Sequence, residues 1–300
     1  MVESKRLNLE VAKAVSAFEE AMQKFELRNI LYRIIFRGRG LEFDSYRNYD
    51  LSDDASSIDW KASKRANKLL VKQYIEERDL KIIFLIDSSE NMVFGSTDKL
   101  KCEYAAELSA AIAHLILNNN DNIGFIMYNK DIVNFVPPNK GIKQFQLFVD
   151  NLSEAVSYTG NSGIEKALDF LLSNADDSIS AVVMVSDFLN VNAGHQKILN
   201  LIGSRFETIA IMVKDPLDKA LPDINAEVLV EHPVTHEKIL INPQLFGKAY
   251  EQIAEQQEQA VKQIFEQSGI DLLSLVTDQS FVIPLVEFLK ERIVLGKRRV

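Results

Sequence analysis

Five oxygen-bearing side chains lie in three segments of the chain, two of which directly follow runs with the pattern of buried strands. Asp87, Ser89 and Asn91 stand at every second position, and alternate side chains of an extended or looping segment share a face. Ser162 stands in a later loop, and Asp187 follows another apolar run. Carboxylates, hydroxyls and an amide oxygen, without histidine or cysteine, suit a hard ion such as Mg²⁺ that keeps some of its waters. We therefore predict a metal site at these five residues, with an open position for a carboxylate from a partner.

The order of strands and helices decides whether these side chains can meet. KIIFLID, residues 81–87, is an apolar run that ends in a carboxylate, which is typical of a strand buried on both faces. Apolar runs alternate with helical patterns from there onward, so the sequence predicts an α/β fold with a doubly wound, mostly parallel sheet. Ligands of such sheets bind beyond the carboxyl ends of the strands, near the point where strand order reverses. The predicted strands of this part are 81–87, 122–128, 179–186, 208–213 and 271–276, with an edge strand at 131–136 stopped by Pro137 and Pro138 and a hairpin at 227–231 and 238–241.

Two further parts complete the predicted organisation. Apolar residues at spacings of three and four predict an N-terminal amphipathic helix over residues 5–28, either packed on its own protein or used as a partner-docking helix. Residues 30–80 contain turn residues between short apolar runs, which indicates a small β-rich insert. We therefore expect residues 1–79 to form the N-terminal helix and the β-rich subdomain. Residues 80–300 are expected to form the α/β domain with a C-terminal extension.

The net charge of −9 argues against a dedicated nucleic-acid binder. The charge is uneven, because residues 1–80 are almost neutral and the remainder is acidic. Within the front part, a run of basic residues has no acidic residue between its members: Lys61, Lys64, Arg65, Lys68 and Lys72. This basic run either forms a solvated face that pairs with neighbouring aspartates or is an electrostatic docking patch for an acidic partner or for nucleic acid.

The five predicted ligands resemble the metal-ion-dependent adhesion site of von Willebrand factor A domains. That site has the pattern D-x-S-x-S, in which Asp87 and Ser89 match and Asn91 stands where the second serine is expected. Ser162 stands where a threonine is usual on the second loop, and Asp187 matches the aspartate on the third. The resemblance implies Mg²⁺ as the cofactor, and the departures at Asn91 and Ser162 make the site a degenerate one.

A longer resemblance, over residues 37–292, is to the bacterial von Willebrand A-like family labelled domain of unknown function 58. Members of that family resemble partners of MoxR-type AAA+ ATPases. The resemblance therefore implies a non-enzymatic interaction adaptor that works with such an ATPase in chaperone-like maturation of client proteins. The family signature is carried here by Gly38, Gly40, Glu42, Phe43, Arg47, Tyr49, Asp53, Asp54, Ile58, Asp59, Trp60, Val71, Lys72, Tyr74, Glu77 and Arg78.

The densest part of this signature supplies the candidate partner-binding residues. The functional interpretation is a docking surface for the ATPase or its client. The structural interpretation is that Trp60 anchors the insert among carboxylate–arginine pairs, since breaking a buried pair costs about 3–5 kcal/mol. The candidate partner-binding residues are Arg47, Tyr49, Asp54, Asp59, Trp60, Lys61, Lys64 and Arg65.

Other functions fit parts of the sequence less well. A metal-dependent hydrolase could use Asp87, but Ser89 stands where a phosphoaspartate mechanism needs a second acid. The sequence contains neither a Walker A motif nor a GxSxG elbow. Nucleic-acid binding through the basic run lacks interleaved aromatic residues. Ser89 and Asp187 could also serve only as helix N-caps, which is common for these residue types at strand ends.

A single cysteine, Cys102, stands on the apolar side of a predicted helix, which indicates core packing. One cysteine allows no intrachain disulfide and suits a reducing compartment. No window of about 18 residues is free of charge, so no transmembrane segment is predicted. The first residues lack the apolar core of a signal peptide, and we therefore expect a cytoplasmic protein.

Overall fold

The computed structural model describes residues 6–24, 42–50, 58–75, 80–176, 178–231 and 238–296. The helices are α1 (Val11–Lys24), α2 (Trp60–Ala66), α3 (Lys101–Asn118), α4 (Ile142–Ser153), α5 (Ile164–Asn174), α6 (Gln196–Arg205), α7 (Pro243–Gln267) and α8 (Val282–Gly296). The strands are β1 (Glu42–Asn48), β2 (Leu70–Ile75), β3 (Lys81–Asp87), β4 (Asn122–Tyr128), β5 (Ile132–Asn139), β6 (Ile179–Ser186), β7 (Glu207–Lys214), β8 (Val228–Glu231), β9 (Lys238–Ile241) and β10 (Asp271–Val276).

Six strands form a central sheet in the order β10-β7-β6-β3-β4-β5. All neighbouring pairs are parallel except β5, which pairs antiparallel with β4 at one edge. The chain leaves β3 for β4 on one side and later returns to β6 on the other side. Strand order therefore reverses between β3 and β6, which confirms the predicted doubly wound, mostly parallel α/β fold. The carboxyl ends of β3 and β6 carry Asp87 and Ser186, so this switch point lies where the sequence predicts the site.

Alternate residues of β3 enter two separate hydrophobic cores, one on each face of the sheet. Ile82, Phe84 and Ile86 belong to the core that α1, α3, α4 and α8 complete. Ile83 and Leu85 belong to the core that α5, α6 and α7 complete. Central strands buried on both faces explain why the apolar runs in the sequence are continuous rather than alternating. No helix in the described part of the chain is both long and apolar enough to cross a lipid bilayer.

The chain divides into two compact units, of which the smaller is Gly38–Asp79. This smaller unit contains an antiparallel pair, β1 and β2, together with the short helix α2. It falls within residues 30–80, the segment for which the sequence predicts a β-rich insert. The larger unit takes in the remaining residues on both sides of it, including the N-terminal helix.

Helix α1 packs on α3 of the larger unit, whereas the sequence-based division grouped it with the β-rich insert. Phe18 is almost completely buried in the core on the α3 side of the sheet. The backbone N–H of Asn8 donates to Glu103 Oε1 at 2.9 Å, and that of Glu10 donates to Glu107 Oε1 at 2.7 Å. Two glutamates of α3 thus satisfy backbone donors of the segment that enters α1. Of the two interpretations of this helix, packing on its own protein is the one the structure adopts.

Strand β5 continues through Pro137 and Pro138, although the sequence predicts that these prolines stop it. Proline is tolerated at a sheet edge because its missing N–H leaves few ladder hydrogen bonds unmade. Gly124 allows β4 and β5 to lie this close together, since a Cβ at position 124 would lie 2.7 Å from the nitrogen of Pro138. Gln144 of α4 donates to the carbonyl of Pro137 at 3.1 Å and secures the end of the strand.

Asp121, between α3 and β4, makes the stability of the protein depend on pH. Its Oδ1 accepts the backbone N–H of Leu80 at 2.7 Å, while its Oδ2 is buried and makes no hydrogen bond within the described residues. Burial raises the pKa of Asp121 to about 6, above the value of about 3.9 expected in the unfolded chain. The contribution of Asp121 to the free energy of unfolding is therefore fully present below about pH 4 and is lost as pH rises through about 6.

Replacing Asp121 with asparagine is expected to remove this pH dependence. Between about pH 4 and pH 7 the wild type should lose about 1–2 kcal/mol of unfolding free energy relative to Asp121→Asn. Urea unfolding at a series of pH values measures the difference. Asp131→Asn is the control, because an exposed ion pair with Lys166 lowers the pKa of Asp131 and its pH effect has the opposite sign. Parallel stability curves for the wild type and Asp121→Asn would contradict the assignment.

Candidate functional site

Asp87 ends β3 and is fully buried at the switch point. Its Oδ1 accepts the backbone N–H of Ser89 at 2.8 Å, and its Oδ2 accepts the hydroxyls of Ser162 at 2.8 Å and Ser186 at 2.6 Å. Burial and the nearby charge of Asp187 raise the pKa of the Asp87 carboxyl. Its hydrogen-bond donors among the described residues are all neutral, so ionised Asp87 is a buried charge with no bonded cation there.

Backbone contacts hold the loop of Ser162 against the sheet edge. The N–H of Glu90 donates to the carbonyl of Gly160 at 2.8 Å, and the N–H of Gly163 donates to that of Asn129 at 2.8 Å. A Cβ at position 163 would lie 2.7 Å from the Asn129 oxygen, so this close approach requires glycine. The sequence GNSG therefore delivers the Ser162 hydroxyl to Asp87, as predicted.

The hydroxyl of Ser89 is buried and makes no hydrogen bond of normal geometry within the described residues. Its neighbour Ser88 is also fully buried, but the Ser88 hydroxyl donates to the carbonyl of Tyr128 at 3.0 Å. Asp87, Ser89 and Ser162 are thus the part of the predicted site that the fold brings together.

Asp187 follows β6 and is almost completely buried, but its oxygens are already engaged within the chain. Its Oδ2 accepts the ammonium of Lys101 at 2.9 Å, and its Oδ1 accepts the backbone N–H of Leu189 at 3.2 Å. Phe188 between them adopts the left-handed conformation, with a φ of 53°, which turns the chain so that Leu189 can donate. The partner of Asp187 is therefore a lysine that the sequence analysis missed.

Lys101 is the first residue of α3 and only 1% exposed. Besides Asp187, its ammonium bonds Asp218 Oδ2 at 3.1 Å and lies 5.8 Å from the centre of the Phe94 ring. Burial lowers the pKa of Lys101, but the charges of Asp187 and Asp218 outweigh it and raise the pKa above its usual value. A cation at a helix N-terminus is disfavoured by the helix dipole. The two carboxylates are therefore what stabilises the ammonium in this position.

Asp218 is held in place by the backbone of Asp215, a residue whose own carboxylate is fully buried. The backbone N–H of Asp215 donates to Asp218 Oδ2 at 2.9 Å. Asp215 is fully buried and accepts the backbone N–H of Ser96 at 2.7 Å and the hydroxyl of Thr277 at 3.4 Å. Asp215 thus joins three loops at the carboxyl end of the sheet and fixes the position of the carboxylate that Lys101 binds.

Asn91 lies on a short 3-10 turn, Glu90–Val93, and is half-buried. Within the described residues no hydrogen bond joins its side chain to the other four predicted ligands. It lines a neighbouring cavity together with Lys101. The fold therefore places Asn91 at the rim of this cavity, without a bond to the Asp87 cluster.

The predicted five-ligand Mg²⁺ site does not fit these residues. Asp87, Ser89 and Ser162 offer a carboxylate and two hydroxyls, which suit a hard divalent ion. Asp187, however, is bonded to an ammonium, and the positive charge of this lysine repels a metal ion. Within the described ranges, no group of three or more histidine, cysteine or acidic residues is arranged to hold a metal ion.

A cavity of about 590 Å³ opens beside Lys101 and Asn91 at the carboxyl end of the sheet. This volume is within the range of ligand pockets, about 300–1,000 Å³. Two of its wall residues are well exposed, Val230 at 42% and Ile239 at 62%. Apolar walls with a few polar groups, open to solvent, are typical of a binding surface. The residues that line this surface, named here the hairpin cavity, are Asn91, Phe94, Lys101, Leu189, Asn190, Leu217, Asp218, Leu221, Pro222, Val228, Val230, Ile239, Ile241, Pro243, Tyr250 and Gln257.

The predicted partner-binding residues fall within the smaller unit, Gly38–Asp79. One of them, Asp54, lies outside the described residues. Asp59 is the N-cap of α2, accepting the N–H groups of Lys61 and Ala62 at 3.0 Å each, and it also accepts the hydroxyl of Tyr46 at 3.1 Å. Arg47 is exposed and Tyr49 is half-buried.

Trp60 is 66% exposed, so it does not anchor the insert as the structural interpretation supposed. Lys61, Lys64 and Arg65 are also exposed on the same helix, and residues three or four apart on a helix are neighbours. Helix α2 therefore presents an aromatic ring beside three cationic side chains.

A family model described as "Protein of unknown function DUF58" matches residues 45–260, more than half of the chain. The chain belongs to the DUF58 family. The DUF58 chain is 28% identical over 262 residues to the uncharacterized protein Rv1480 of Mycobacterium tuberculosis, covering 85% of this chain and 80% of Rv1480.

Solved structures similar to this DUF58 chain include BatB from Bacteroides thetaiotaomicron and the SpRpn10 VWA domain. BatB matches with a TM-score of 0.44 at 13% identity, covering 73% of this chain and 99% of BatB. The SpRpn10 VWA domain matches with a TM-score of 0.41 at 12% identity, covering 70% of this chain and 95% of that domain.

Proposed function

We propose that this DUF58 chain is a non-enzymatic adaptor that binds a partner protein at the carboxyl end of its central sheet. The hairpin cavity carries the proposal, because it lies beside the switch point, where ligands of doubly wound sheets bind. Exposed apolar side chains at the rim, such as Ile239, gain free energy when a partner removes them from water. Asp87 is held by neutral donors at this end of the sheet, which suits a structural and binding role.

The partner we propose is a MoxR-type AAA+ ATPase, and the role is chaperone-like maturation of client proteins. The support for this partner class is the family resemblance, which spans most of the chain. Helix α2 supplies a second contact, with Trp60 available to a pocket of the partner and Lys61, Lys64 and Arg65 available to acidic groups. Aromatic and basic side chains together are common in the energetic centres of protein interfaces.

Two neighbouring residues of β9 test the hairpin cavity as the contact surface. Ile239 lines the cavity at 62% exposure, whereas Leu240 does not line it and is 57% exposed. An aspartate in place of Ile239 would have to be desolvated in the interface, so Ile239→Asp should weaken binding of the purified ATPase about tenfold or more. Leu240→Asp, the matched control, should bind like the wild type.

Binding is measured by biolayer interferometry with ATP and Mg²⁺ held constant in every sample. Circular dichroism checks that both variants are folded, which is expected because both positions are exposed. Equal weakening by the two substitutions, or by neither, would contradict the hairpin cavity as the contact surface.

A further inference from the structure

The ammonium of Lys101 is the feature of the switch point that the family resemblance does not account for. It is 1% exposed and is bonded to Asp187 at 2.9 Å and to Asp218 at 3.1 Å. A buried lysine is expensive to desolvate, and replacing a whole buried ion pair with apolar residues of similar volume often leaves stability unchanged or raises it. Its position at the start of α3 adds the unfavourable interaction with the helix dipole. Stability alone is therefore a poor reason for a lysine here.

The charges around the site suggest what the lysine does. Asp87 ends β3 and Asp187 directly follows the neighbouring strand β6, and both are at most 2% exposed. Two carboxylates buried side by side are costly without a nearby positive charge. Lys101 supplies one and is bonded directly to Asp187, the residue that matches the third-loop aspartate of the metal-site pattern.

We propose that the Lys101 ammonium is the fixed cation of the switch point, taking the place of a divalent metal ion. Asp187 then keeps its position and a bonded positive charge without Mg²⁺. Ser89 Oγ and the Asp87 carboxylate remain as oxygen groups, but the ammonium bonded to Asp187 opposes the entry of a second cation. This inference concerns the ion alone and is tested without the partner proposed above.

Direct titration of the full chain with Mn²⁺, followed by electron paramagnetic resonance, tests the inference. The wild type is expected to show no saturable Mn²⁺ binding at millimolar concentration, and its melting temperature is expected to be the same with Mg²⁺ and with chelator. Saturable binding of Mn²⁺ by the wild type that Asp87→Ala abolishes would overturn the proposal.

Substitution of Lys101 by glutamine gives the converse test. Removing the ammonium leaves Asp187 free, so Lys101→Gln should bind Mn²⁺ on the order of tenfold or more tightly than the wild type. Lys214→Gln is the matched control, because Lys214 is also buried, at 4% exposure, and is paired with Glu258 at 3.0 Å. The control is expected to show no saturable Mn²⁺ binding. A folded Lys101→Gln variant that also shows no saturable Mn²⁺ binding would overturn the claim that the ammonium takes the place of the ion.

Discussion

Lys101→Met is expected to lower the free energy of unfolding by about 3–5 kcal/mol. The substitution removes the cation from two carboxylates, of which Asp187 is almost completely buried and Asp218 has a side chain only 14% exposed. Methionine fills most of the same volume, so the loss comes from uncompensated charge rather than from a cavity. Urea unfolding at neutral pH, monitored by circular dichroism, measures it.

Two comparisons make the Lys101 prediction specific. Lys214→Met should cost less, about 1 kcal/mol, because its partner Glu258 is 26% exposed and can be hydrated when the lysine is lost. Adding Asp218→Asn to Lys101→Met should recover part of the loss, since one of the two unpaired charges is removed. A loss below about 1 kcal/mol for Lys101→Met would show that the ion pairs contribute little.

Gly203→Ala should lower the free energy of unfolding by about 3 kcal/mol or more, because the added methyl group forces two backbone segments apart. Gly203 lies in α6, and a Cβ at this position would sit 1.9 Å from the carbonyl oxygen of Ser268, at the end of α7. The two segments are also joined by Gln196, whose Nε2 donates to Ser268 Oγ at 2.7 Å. Neither segment can move away without breaking this contact, so the added methyl group must displace a helix.

Gly247→Ala is the matched control for Gly203→Ala. Gly247 also lies inside a helix, α7, but a Cβ there would meet nothing within 4 Å. Alanine has a better helix propensity than glycine, so this variant should gain about 0.5–1 kcal/mol. Thermal and urea unfolding of the two variants should therefore move in opposite directions. The same sign for both substitutions would contradict the packing of α6 against the end of α7.

The convergence of Asp87, Ser89 and Ser162 could be predicted from the sequence, because the carboxyl ends of parallel strands meet at one edge of a sheet. The same reasoning placed Asp187 there. The partners of Asp187 could not be predicted in this way. Lys101 is 86 residues away in the chain, and no local pattern identifies a lysine at a helix start as buried.

Tertiary contacts also decided the outcome of two other sequence-based expectations. A proline pair ends an isolated strand, but β5 lies at the sheet edge and continues through Pro137 and Pro138. A single tryptophan in a charged segment is consistent with an anchor or with a contact residue. The 66% exposure of Trp60 favours the second, which no spacing in the sequence could decide.

Amide hydrogen–deuterium exchange of the full chain, alone and with the MoxR-type ATPase, tests the proposed contact surface most directly. If the partner binds at the hairpin cavity, amide exchange should be slower with the ATPase than without it in peptides that cover residues 217–222 and 238–241. Residues 119–122 and 205–207, at the opposite end of the sheet, should exchange at the same rate in both samples. Protection confined to that opposite end would contradict the proposal that the partner binds at the carboxyl end of the sheet.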